Sequence, residues 1–102
     1  MKVLLLVLSL SVPAAFAGTE NADVEFDVGT INPKLSIVWK TATDVNRACN
    51  SENRKHGLRE FNYSIEACSF WNSDMCLIIT KPKTTMHIIG HELRHCFQKQ
   101  WH

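Results

Sequence analysis

Four of the chain's five histidines fall between Thr85 and His102. Two of them frame a carboxylate, in the order His91-Glu92-Leu93-Arg94-His95. On a helix, residues four apart share one face, one turn above the other. The imidazoles of His91 and His95 can therefore grip one divalent cation. Glu92, next to the first of them, can reach a water held by that cation. Neutral imidazole suits zinc (Zn2+), and a catalytic zinc keeps three protein ligands and one open position. Water at that position has its pKa lowered to about 7. Glu92 is the expected general base: it takes the proton as the hydroxide attacks and passes it to the leaving group.

The third ligand is the open question. His102 is the leading candidate, but seven further helical residues would carry the backbone about 10 Å along the axis. His102 reaches the ion only if the helix stops near Gln98 and the tail folds back. Trp101 could anchor such a tail by burying its ring. The bend has no glycine to ease it. His87, one turn before His91, is the next candidate, followed by His56, Glu66 and Asp74.

The elements that must position these groups can be read from periodicity. Thr84 or Thr85 opens the last helix, with Met86, Ile89, Leu93 and Phe97 as its apolar stripe and Ile88 beside it. Thr43 or Asp44 caps an earlier helix on which Val45, Ala48, Cys49 and Glu52 share a face, and Gly57 ends it after His56. Four strands are expected. Val24 to Val28 alternates apolar and acidic residues. Lys34 to Lys40 puts Leu35, Ile37 and Trp39 on one side. A third strand starts at Phe61, and Met75 to Thr80 follows the Asn72-Ser73-Asp74 turn, ending at Pro82. The fold class is α+β: a small, mainly antiparallel sheet with two helices packed on it.

The N-terminus reads as an address. Lys2, the apolar run from Val3 to Val12, Pro13 and Ala15-Phe16-Ala17 make a secretory signal peptide over residues 1–17, cut after Ala17. The run is too short for a comfortable membrane span. Residues 18–102 then form one small domain. Without Lys2 the chain carries 10 basic and 10 acidic residues. That balance suggests neither a nucleic acid nor an anionic membrane as partner.

The even count of four cysteines in a small exported domain predicts two disulfides, which admit three pairings. We expect Cys68–Cys76 across a short loop and Cys49–Cys96 between the helices. A Cys/His zinc knuckle is the competing arrangement, but no Cys-x-x-Cys pair is present. Asn62-Tyr63-Ser64 fits an N-glycosylation acceptor inside the expected third strand.

His91-Glu92-Leu93-Arg94-His95, with Ile88-Ile89-Gly90 before it and Phe97 after, resembles the active-site helix of the zincin metallopeptidases. The likeness covers about a fifth of the chain and implies zinc on His91 and His95 with Glu92 as general base. Two features depart from the family. Arg94 is charged where zincins usually carry an uncharged residue. The metzincin pattern His-Glu-x-x-His-x-x-Gly-x-x-His finds Gln98 and Trp101 at its last two fixed positions, with a histidine only at His102.

Two functions follow as expectations. The first is a secreted or periplasmic, monomeric zinc metallopeptidase-like hydrolase with a peptide or protein substrate. The second is a disulfide-stapled binding or structural module that holds a metal without chemistry, or none at all; in the plainest reading the motif is a solvated helix face with Glu92 in a salt bridge.

Overall fold

The structure, a computed structural model, describes residues 5–7, 25, 27–100 and 102. Its elements are β1 (Leu5–Val7), β2 (Ser36–Thr41), α1 (Val45–Lys55), β3 (Ala67–Trp71), β4 (Met75–Thr80) and α2 (Met86–Gln98). The fold class is α+β, and the sheet order is β1-β3-β4-β2. β3 runs antiparallel to both β1 and β4, whereas β2 runs parallel to β4 with Ser36 opposite Met75 and Thr41 opposite Thr80. The parallel pair is possible because α1 and β3 intervene in the chain and carry it back across the sheet.

The helices start and stop where their caps dictate. The Asp44 side chain accepts from the Arg47 N–H at 3.0 Å to open α1. Gly57, at φ 67°, turns the chain out of it, a conformation that suits glycine. Thr85 Oγ1 accepts from the Ile88 N–H at 3.1 Å to open α2. Between β3 and β4, Asn72 Oδ1 accepts from the N–H groups of Asp74 and Met75, which closes the hairpin turn.

Side chains alternate across a sheet, so β3 and β4 sort their residues into two cores. Cys68, Phe70, Leu77 and Ile79 pack with Val45 and Cys49 of α1. Trp71, Cys76 and Ile78 pack with Cys96 of α2 on the opposite face. Each helix is therefore bonded to its own face, by Cys49–Cys68 on one side and Cys76–Cys96 on the other. This corrects the expected Cys68–Cys76 and Cys49–Cys96 pairs. Cys68 stands opposite Ile79 and Cys76 opposite Trp71, so their sulfurs leave opposite faces of the sheet. Cys49 and Cys96 are kept apart by the sheet itself.

Two other expectations shift. The third strand begins at Ala67, not Phe61. Residues Phe61 to Ile65 bond instead to side chains of α1: Asn50 takes both the N–H and the carbonyl of Phe61, and Asn46 takes the Tyr63 carbonyl and the Ile65 N–H. Val28 opens a single 3-10 turn over Val28–Thr30, not the end of a strand, while Val24 and Phe26 lie outside the described residues. The expected cleavage site after Ala17 also lies outside them, and Leu5–Val7 of the apolar run form β1.

The face that α2 buries is not its apolar stripe. Its buried residues are His91, Glu92, His95 and Cys96, while Met86 is 82 % exposed. Ile89, Leu93 and Phe97 are only half-buried along one flank. The Cys76–Cys96 bond fixes the rotation of the helix, and with it the motif's approach to the sheet. Two disulfides are the mark of an oxidising compartment. Among the described residues, no helix is long and apolar enough to cross a membrane.

Candidate metal centre

α2 ends at Gln98, and Lys99 then adopts φ 58° and ψ −126°. This is a left-handed conformation that costs a non-glycine residue about 1–3 kcal/mol. The bend does two things. It aims the Lys99 carbonyl back at the helix, where it lies 2.7 Å from His95 Nδ1. It also reverses the chain, so that His102 returns to the face carrying His91 and His95.

The three rings converge through one kind of atom. His102 Nε2 lies 3.0 Å from His95 Nε2 and 3.3 Å from His91 Nε2. Ligand atoms of His91, His95 and His102 all fall within 4.8 Å of one another, a group that could hold a metal ion. A carbonyl can only accept, so His95 Nδ1 must carry the proton that meets Lys99. Its Nε2 then presents a lone pair to the shared space. A metal-binding histidine is ordinarily oriented by this kind of bond from its other nitrogen.

The donor set suits a divalent metal ion. Two nitrogens about 2.0–2.1 Å from a tetrahedral zinc lie about 3.3 Å apart, close to the spacings His102 makes with its two neighbours. His91 and His95 are also in the protonation state a cation needs. Burial first, then the nearby His95 and His102, push the His91 pKa down to about 3. Burial, with help from His102 and Arg94, lowers that of His95 to about 4 against the opposing pull of the Lys99 carbonyl. Both imidazoles are neutral at pH 7.

The walls are specific. The His95 ring stacks on Trp71 of β3, with centroids 5.9 Å apart and planes 6° from parallel. His91 and His102 meet His95 nearly edge-on, at 76° and 73°. His91 is 7 % exposed and Glu92 and His95 are fully buried, whereas His102 is exposed. Solvent therefore meets the cluster on the His102 side. Arg94, the residue that departs from the zincin pattern, donates from Nε along the helix to Gln98 Oε1.

His91, His95 and His102 thus come together, and Glu92 sits within the same helical turn. The other ligand candidates do not join them. His56 lies beside Glu52 at the end of α1, and Glu66 pairs with Lys81 at 3.2 Å. Asp74 sits in the β3–β4 turn, and neither it nor His87 belongs to the ligand group. Trp101, expected to anchor the tail, lies outside the described residues. Sequence reasoning missed Lys99, whose type carries no signal for a positive φ, and the stacking of Trp71 on His95. No family model, curated protein or solved structure matches the chain.

Proposed function

We propose that the chain is an exported zinc-dependent hydrolase acting on peptides, with His91, His95 and His102 as the ligands and Glu92 as the general base. The observation that carries this reading is the convergence of three Nε2 atoms, with that of exposed His102 at 3.0 and 3.3 Å from those of the buried, neutral His95 and His91. Three histidines leave a tetrahedral ion one open position, the condition for catalysis rather than for a closed structural site. When bound there, zinc would supply Lewis acidity, activating a water and polarising a scissile carbonyl.

The protein's own groups have separate tasks. Lys99 fixes the His95 tautomer, and Trp71 fixes the plane of its ring. Export suits the two disulfides, and the His102 side offers a substrate its approach. Glu92 would hold the proton between attack and departure of the amine.

One observation favours a second reading. Glu92 is 0 % exposed, so the same three histidines could serve a non-catalytic module whose metal pins the C-terminal tail to α2. Activity separates the two. Purified, oxidised protein loaded with one zinc equivalent is assayed on a peptide library beside Glu92→Gln. Hydrolysis abolished by Glu92→Gln with zinc retained supports the hydrolase. A variant as active as the wild type, or a zinc-loaded wild type inert on every peptide, leaves the module.

A further inference from the structure

The loop joining α1 to β3 lies on the face of the sheet opposite the histidines, and it carries the chain's single Asn-x-Ser/Thr sequence, Asn62-Tyr63-Ser64. The sequence pattern suggests a strand here, which would have hidden the acceptor. The structure instead leaves all three residues exposed and outside regular secondary structure. Their neighbours are tightly held. Asn50 donates to the Phe61 carbonyl and accepts from its N–H at 2.8 Å, and Asn46 donates to the Tyr63 carbonyl at 2.7 Å and accepts from the Ile65 N–H. Ile65 enters the core while Phe61 is half-buried against it. Asn62 is thus the outward point of a short arch clamped at both feet by α1.

We propose that Asn62 is an N-glycan acceptor in a eukaryotic secretory compartment. The inference is independent of the metal reading: it rests on the tripeptide, its exposure, and disulfides that belong to the same oxidising route. The donor is a lipid pyrophosphate-linked oligosaccharide. A bond forms between Asn62 Nδ2 and the anomeric carbon of the first sugar, and the bond from that carbon to the pyrophosphate oxygen breaks. The lipid pyrophosphate leaves with the electron pair, and the proton lost by the amide goes to the transferase base. No core group need move, because Asn62 already points to solvent. The glycan covers the α1 side and leaves the approach past His102 open.

The test is translation of the full chain with its own leader into eukaryotic microsomes, followed by intact mass before and after peptide N-glycosidase. One enzyme-removable glycan is expected on the wild type and on Ser64→Thr, and none on Asn62→Gln or Ser64→Ala. Trypsin-resistant, disulfide-bonded wild type with unmodified Asn62 overturns the proposal, as does a chain that stays outside the lumen. A glycan persisting in Asn62→Gln assigns the modification elsewhere and equally overturns it.

Discussion

His95 Nδ1 and the carbonyl oxygen of Lys99 lie 2.7 Å apart, and that bond exists because Lys99 takes a positive φ. One backbone turn therefore decides both the protonation pattern of His95 and the return of His102. Glycine at this position would adopt the same turn without side-chain strain. Relief of about 1–3 kcal/mol outweighs the extra backbone entropy of glycine, about 0.5–1 kcal/mol. Lys99→Gly should melt higher than the wild type and keep its zinc affinity, by thermal melts with and without metal. Lys99→Val, strained further by its branched side chain, should melt lower.

Much of this arrangement can be read from the residues, and the remainder is hidden for physical reasons. Both helices, their Asp44 and Thr85 caps, the stop at Gly57 and the Asn72 turn are local features, and all are present. The pairing of His91 with His95 follows from helical spacing alone. The disulfide partners are not local: they depend on which face of the sheet each helix covers, and chain order does not encode that. The apolar stripe of α2 misleads for a related reason. Cys96 is held at the sheet by Cys76, so the helix buries His91, Glu92 and His95 and leaves Met86 outside. The parallel partner of β2 is equally invisible. All six of its residues are exposed, Trp39 to 53 %, and among the side chains the Trp39 indole bond to Thr80 at 2.9 Å marks its neighbour.

Removing the third ring should separate metal binding from folding. His102 is exposed and follows the last helix, so His102→Ala removes no core packing. Even groups that merely orient a ligand are worth about 10–100-fold in affinity. Zinc affinity should therefore fall by at least about 100-fold, while the melting temperature of the metal-free protein changes little. Isothermal titration of zinc into both proteins checks it, and equal affinities would remove His102 from the site.

Chelation should lower the melting temperature. Zinc at 100 times its dissociation constant stabilises the folded state by about 2.7 kcal/mol. In a domain of this size that is roughly 10–20 °C. Calorimetry with zinc and then with excess chelator measures the shift, and superimposable melts would argue for no metal at all. The same comparison in His102→Ala should show almost no difference.

The metal-free protein should be acid-sensitive in a defined window. The folded pKa values of about 3 for His91 and about 4 for His95 lie below the ordinary imidazole value of 6.5. Between these limits the unfolded chain binds the protons and the folded chain does not, so stability falls with decreasing pH. The loss starts near pH 6.5, reaches about 2 kcal/mol per ring at pH 5, and levels off once the folded rings also titrate. Urea melts of the apo protein from pH 8 to 4 check this. His91→Gln should flatten the curve. A profile indifferent to pH above 4 would mean the rings are not buried neutral.

The two disulfides should differ in what they protect. They join residues 19 and 20 apart, so each should contribute about 3 kcal/mol through the unfolded chain. Removing Cys49–Cys68 by double serine substitution loosens α1 on the far face. Zinc affinity of the folded fraction should then stay as it was. Removing Cys76–Cys96 costs similar stability but frees the residue next to His95. The helix can then rotate toward burying Ile89 and Leu93, the apolar flank it now leaves half-exposed, and carry His91 and His95 away from His102. Zinc affinity should drop with the second pair and not with the first. Equal losses from both would mean that the helix keeps its rotation without the bond.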